Sequence, residues 1–277
     1  MPPCRIERER DLRSGAAAGI TSNGLPYNRQ GTGPRVAAVF PGLSFENRPL
    51  RGMEIRATFG SFKALLPEYT LYALGRKNAL PSGYSLADMA DDYAAAVAHE
   101  FEGPVDVIGT STGGSLALQF AADHGHLVRR LVVHSAAYRL GPGGKDTQLR
   151  VRDLVQDRKW REAWAVLIEF VLRPSWYRSF AVAVGPALMA RSAPDDPSDL
   201  IVTIEAEDAF DLRNRLAEIT APTLVIAGAA DPFYTEELFR DTARGIPGAK
   251  LVLYPEMGHP AKGPAFAQEL RSFLLGE

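Results

Sequence analysis

A single cysteine, Cys4, stands among 277 residues, so an internal disulfide is excluded and a reducing compartment fits. No apolar run approaches the ~20 residues that a membrane-spanning helix needs. Residues 1–10 (MPPCRIERER) contain no apolar signal core, and the chain is therefore expected in the cytoplasm with no membrane partner. Charge of one sign is also lacking: 31 Lys and Arg against 33 Asp and Glu leave a net charge of −2, which gives no basic field for nucleic acid. His, Cys and carboxylates do not cluster at metal-ligand spacing, so neither a metal nor an organic cofactor is expected. Repeats and low-complexity linkers are absent. What is present is the composition of a folded globular protein, 46% hydrophobic and 23% charged. At this length a chain can bury about three quarters of its unfolded surface.

Apolar strands alternate with amphipathic helices, the pattern of a mostly parallel sheet covered on both faces. Asn23-Gly24, a favoured hairpin turn, lies within 20–29 and predicts an opening antiparallel pair. Further strands are expected at 36–40, 70–74, 105–108, 131–134, 223–228 and 250–254. Ser85 with Asp88 three residues on forms a capping-box pattern, and Leu86, Met89, Tyr93 and Val97 mark the buried face of the helix that follows. Near the C-terminus, Pro264 opens a helix whose core stripe is Phe266, Leu270, Phe273 and Leu274.

This rhythm breaks after Leu140. Gly141-Pro142-Gly143-Gly144-Lys145 is followed by roughly 70 residues of helical pattern, more than a strand-to-strand connection needs. Trp160, Trp164 and Trp176 all fall here, with Phe170, Tyr177 and Phe180. Trp160 and Trp164 are spaced i, i+4 and share a helix face, where they either pack the segment onto the core or line an apolar substrate pocket. The acidic group Glu205, Glu207, Asp208 and Asp211 reads as a solvated helix face. His99, His124, His126 and His134 sit on polar helical stretches or at a strand end and read as structural.

The most informative segment is Val105-Asp106-Val107-Ile108-Gly109-Thr110-Ser111-Thr112-Gly113. A short apolar strand runs into Gly-x-Ser-x-Gly and then into a helix, 116–124. A strand that reverses this sharply holds the serine at a strained turn with its hydroxyl pushed out of the sheet. Gly109 and Gly113 leave room for strand and helix to approach. The helix start places free N–H groups and a positive dipole end where negative charge would develop. Two further loops follow predicted strands. Gly228-Ala229-Ala230-Asp231-Pro232 ends one, and Pro255-Glu256-Met257-Gly258-His259-Pro260 ends the next. Asp231 before Pro232 also suits a plain turn; the order Ser, Asp, His, each after a strand, is what gives it chemistry.

On these motifs, and on Arg35–Phe40 with Pro41-Gly42-Leu43 after it, the chain resembles the α/β-hydrolase superfamily from about Gly19 to the C-terminus. The resemblance implies a mostly parallel eight-stranded sheet flanked by helices, with a core of 1–140 and 214–277 and an inserted helical cap at 141–213. It implies that Ser111 attacks a carbonyl carbon, that His259 moves its proton, and that Asp231 orients the imidazole. The backbone N–H groups of Thr112 and Leu43 would hold the oxyanion. The family more often has His-Gly where this chain has Pro41-Gly42; Gly42 keeps the loop's freedom. The expected activity is hydrolysis of small or medium, largely apolar carboxylic esters through an acyl-enzyme, with a small-molecule substrate as partner. C–C bond hydrolysis, cofactor-free perhydrolysis and a triad-bearing receptor use the same residues, and the oligomeric state is left open.

Overall fold

The computed structural model describes residues 16–172 and 178–276. Cys4, Trp176, Tyr177 and the side chain of Phe180 lie outside the described residues. The strands are β1 (Ala16–Ile20), β2 (Pro26–Gln30), β3 (Arg35–Phe40), β4 (Tyr69–Leu74), β5 (Val105–Thr110), β6 (Val128–His134), β7 (Thr223–Gly228) and β8 (Lys250–Tyr254). They form one sheet of eight strands in the order β1-β2-β4-β3-β5-β6-β7-β8. β1 and β2 pair antiparallel, as do β2 and β4, and every other pairing is parallel. The opening pair forms around Asn23-Gly24: Thr21 and Leu25 close the loop, and Gly24 takes φ 96°, which a side chain would resist.

The helices are α1 (Met53–Gly60), α2 (Leu86–Glu100), α3 (Thr112–Asp123), α4 (Pro142–Gln156), α5 (Trp160–Val171), α6 (Arg178–Met189), α7 (Ser198–Ala209), α8 (Glu236–Gly245) and α9 (Pro264–Leu275). The Ser85–Asp88 capping box is present in both directions at the start of α2. Strand side chains alternate between two cores, as the two-residue period requires. Ala38, Phe40, Val107, Val225 and Ala227 face a core shared with α2, α3 and α8. Ala37, Val39, Ile108, Leu224 and Ile226 face a second core with Phe59 of α1 and Phe266, Leu270 and Leu274 of α9.

Helices α4 to α7 are the insertion between β6 and β7. Val151 and Val155, Trp160 and Ala163, and Leu200 and Ile204 bring α4, α5 and α7 together in a third core. Leu43 and Phe45, from the loop after β3, pack against it. The insertion is thereby seated directly on the C-terminal end of β3.

Chain order reverses about β3: the chain passes from β3 to β4 on one side and then to β5 on the other. In such sheets the crevice beyond the carboxyl ends of the two strands at that point is where ligands bind. Phe40 of β3 is in register with Gly109 of β5, so the loop 41–45 and the turn at Ser111 leave the sheet side by side.

Candidate active site

Ser111 lies between β5 and α3 at φ 55° and ψ −129°, a left-handed backbone conformation that costs a non-glycine residue about 1–3 kcal/mol. Close packing around it explains why the strain persists. A Cβ on Gly109 would stand 2.3 Å from the Gly113 carbonyl oxygen, and one on Gly113 would stand 2.0 Å from the carbonyl oxygen of Phe40. Only glycine fits either position. The Ser111 N–H donates to the His134 carbonyl at 3.0 Å, which ties the turn to β6. The helix begins at Thr112, earlier than the apolar pattern at 116–124 indicates, because Gly113, Gly114 and Ser115 form its first turn against the sheet.

The three predicted side chains meet. His259 Nε2 is 3.0 Å from Ser111 Oγ, and His259 Nδ1 is 2.7 Å from Asp231 Oδ2. The Asp231 carboxylate is fully covered, and the His259 ring is 8% exposed. Asp231 Oδ1 accepts from the N–H groups of Phe233 at 2.8 Å and Tyr234 at 3.2 Å, so its second oxygen is left to face the imidazole. An acceptor at that point requires Nδ1 to carry the proton, which leaves the Nε2 lone pair for the Ser111 hydroxyl. The Phe233 ring stands 4.7 Å from the His259 ring and the Tyr234 ring 6.2 Å from it, so aromatic side chains hold the imidazole in place.

The loop after β3 reaches this triad. A Cβ on Gly42 would touch Ser111 Cβ at 3.4 Å and stand 3.9 Å from its hydroxyl. Its carbonyl groups are turned the other way: buried Arg76 donates Nη2–H to the Gly42 oxygen at 3.0 Å and Nη1–H to the Pro41 oxygen at 3.5 Å. Leu43 follows in this loop, packed under the insertion beside Phe45. Thr112 is the first residue of α3, where the helix geometry offers its N–H no intrahelical acceptor.

Trp160 and Trp164 do share a face, and what they meet is Phe45: the Trp164 ring stacks on it at 3.9 Å and 19°, with Trp160 at 6.1 Å. They therefore bear on the loop after β3. A separate cleft of about 520 Å³ opens between α4, α5 and the loop of Asp231, lined by Thr147, Arg150, Phe170, Ala230 and Pro232 among others, and neither tryptophan borders it.

One expectation is overturned. Glu207 is no solvated residue: it is 0% exposed, although Glu205 and Asp211 on the same stretch face solvent. Its carboxylate accepts from Thr112 Oγ1 at 2.7 Å, Ser115 Oγ at 2.9 Å, Gln148 Nε2 at 2.9 Å and the Tyr234 hydroxyl at 3.0 Å. α7 is buried on most of its circumference, so an inward carboxylate leaves no break in a polar face that would betray it.

His134 is buried and structural, and its partners give the role substance. Its Nδ1 is 3.0 Å from Thr110 Oγ1, and its Nε2 is 2.7 Å from the Ala261 carbonyl oxygen. The carbonyl can only accept, so Nε2 carries the proton and Nδ1 accepts from Thr110. Ser135 Oγ accepts from the Ala261 N–H at 3.0 Å, so the end of β6 grips both backbone groups of Ala261. The strand end thus joins the residue before Ser111 to the segment after His259. Burial lowers the His134 pKa to about 4. An unfolded chain protonates this ring near 6.5, so the folded state is favoured above that pH and loses the advantage as pH falls toward 4. The loss amounts to about 3 kcal/mol in full. Urea midpoints measured from pH 7 to 4 should fall, and His134→Gln should remove that part of the slope; identical slopes in the two proteins would refute the assignment.

Among the described residues, no group of three or more His, Cys, Asp or Glu side chains could hold a metal ion, and no helix is long and apolar enough to cross a membrane.

A mostly parallel sheet with its order reversed at β3, carrying Ser, Asp and His on loops beyond three strand ends, is the architecture of an α/β hydrolase. The chain belongs to the alpha/beta hydrolase family, whose model matches residues 31–269, and it is a hydrolase. Among curated proteins it is similar to one provisionally named carbamate hydrolase RutD from Serratia proteamaculans, 28% identical over 206 residues that cover 72% of this chain and 75% of that one. It is also similar to the pimeloyl-[acyl-carrier protein] methyl ester esterase of Neisseria meningitidis, 25% identical over 194 residues, 66% of this chain and 74% of that one. Among solved structures, the enol-lactonase from Burkholderia xenovorans LB400 superposes with a TM-score of 0.75 at 19% identity, over 94% of this chain and 100% of that chain. At that identity the likeness concerns the fold.

Proposed function

We propose that the protein is a serine hydrolase of carboxylic esters with small or medium, largely apolar acyl groups, acting through an acyl-enzyme on Ser111. The observation that carries this reading is the continuous hydrogen-bonded relay from Ser111 through His259 to buried Asp231. The Ser111 oxygen attacks the ester carbonyl as His259 Nε2 takes its proton. Negative charge on the tetrahedral oxygen falls to the N–H groups of Thr112 and Leu43, with the α3 dipole behind them. His259 then returns the proton to the departing alkoxide, and Asp231 stabilises the intervening imidazolium. Water, deprotonated by the same nitrogen, releases the acid.

The names of the similar curated proteins speak of a carbamate and a methyl ester. Each is an acyl carbon bearing a heteroatom leaving group, which favours acyl transfer over C–C cleavage. We infer the apolar acyl preference from the apolar side chains gathered at the loop after β3, where Leu43 and Phe45 pack against the insertion and Trp164 stacks on Phe45. Turnover of p-nitrophenyl esters, with acyl chains from two to about twelve carbons, is expected to peak sharply at a short or medium length. No turnover above background across the whole series would overturn the reading.

A further inference from the structure

Glu207 sits on the insertion, yet its carboxylate lies against the first turn of α3 and touches none of the triad residues. A carboxylate offers about four lone-pair sites. Here each oxygen receives two donors: Oε2 takes the Thr112 hydroxyl and the Gln148 amide, and Oε1 takes the hydroxyls of Ser115 and Tyr234. The four donors come from three elements. Thr112 and Ser115 belong to α3, Gln148 to α4 of the insertion, and Tyr234 to the loop whose amides hold Asp231. Burial, with Glu207 close by, keeps the Tyr234 phenol well above its ordinary pKa, so it remains a donor.

A group this completely enclosed is costly to bury unless every lone pair is satisfied. Core packing alone would be served as well by an apolar side chain at this position. What Glu207 adds is direction. Thr112 carries the amide aimed at the oxyanion, and its hydroxyl is one of the two α3 groups that Glu207 fixes. The same carboxylate fixes Tyr234, whose own N–H helps aim Asp231.

Resting on the serine hydrolase reading above, we propose that Glu207 is a positioning residue for the oxyanion hole, locking Thr112 in register with Ser111 and with the Asp231 loop. Oxyanion contacts tighten in the transition state, so their misalignment lowers kcat and leaves ground-state binding nearly alone. Removing an oxyanion donor outright costs about 10²–10³ in kcat, and tilting one should cost less.

The test compares Glu207→Gln, Thr112→Val and Thr112→Ser with the parent full-length protein. Its readouts are kcat and KM on the best p-nitrophenyl ester, the rate of inactivation by a fluorophosphonate, and Tm. Glu207→Gln and Thr112→Val should each lower kcat and the inactivation rate about 10- to 100-fold, with KM within about twofold. Thr112→Ser, which keeps the hydroxyl, should restore most of the rate. The double variant Glu207→Gln/Thr112→Val should be no slower than the worse single, because both act through one contact. Parent kcat in the folded fraction of Glu207→Gln, with only Tm lowered, would overturn the proposal. If Glu207→Gln does not fold, Thr112→Val alone decides, since it leaves Glu207 three of its four donors: a parent-like rate overturns the proposal. A parent protein that neither turns over esters nor reacts with the fluorophosphonate would remove the hydrolase reading and this inference with it. A reactive parent with rate-neutral variants removes the inference only.

Discussion

Ser111→Ala is expected to lower kcat on the best ester by about 10⁶-fold while leaving the fold intact. Alanine tolerates φ 55° no better than serine does, so the strain of the turn is unchanged and the tight approach at Gly109 and Gly113 is untouched. The lost hydroxyl has one hydrogen-bond partner among the described contacts, His259 Nε2 at 3.0 Å. Stability should therefore shift by about 1 kcal/mol or less. Some catalysis over bulk water should survive, because the amides proposed for the oxyanion, those of Thr112 and Leu43, would remain for attack by water. Covalent labelling by a fluorophosphonate should vanish altogether. A variant that keeps even a tenth of the parent rate, or that still takes the label, would show that Ser111 is not the nucleophile.

The parts of this site that were legible in the sequence are those whose signals are local. An apolar run followed within a few residues by Gly-x-Ser-x-Gly, Ala-Asp-Pro or Gly-His-Pro places each side chain beyond a strand end. A parallel sheet then brings those ends to one edge. Trp160 and Trp164 share a face because helical spacing decides it, but their partner Phe45 lies over a hundred residues earlier, and no periodicity reports such a contact. α1 left little pattern because Phe59 is its only buried residue.

Glu207 failed for a sharper reason. Its four partners lie 95, 92, 59 and 27 residues away, and its charged neighbours Glu205, Asp208 and Asp211 disguise it as one more surface acid. Arg76 is alike, a lone arginine whose carbonyl partners in the loop after β3 come into reach only when β3 and β4 pair. Charged residues read by composition default to solvent; three-dimensional pairing is what buries these two.

Asp231→Asn separates a catalytic carboxylate from a turn-forming one, and the two amides on Asp231 Oδ1 make the outcome sharp. Phe233 and Tyr234 donate there at 2.8 and 3.2 Å, so an asparagine must turn its carbonyl oxygen toward them to keep both bonds. Its NH₂ group then faces His259 Nδ1, where the carboxylate oxygen stood at 2.7 Å. A donor at that point demands an unprotonated Nδ1, which moves the ring proton to Nε2 and removes the lone pair that accepts from Ser111. The turn survives and the relay fails. Rotating the amide to rescue the tautomer would set its NH₂ against two backbone N–H groups in a fully buried spot, forfeiting both bonds. The expected result is kcat lower by about 10⁴ with Tm close to the parent's. Asp231→Ala should lower kcat as well but also lose stability, because it deletes the acceptor for both amides. Were Asp231 present only for its turn, Asp231→Asn would retain nearly full specific activity in the folded fraction, and kcat beside Tm on the same preparation distinguishes the two outcomes.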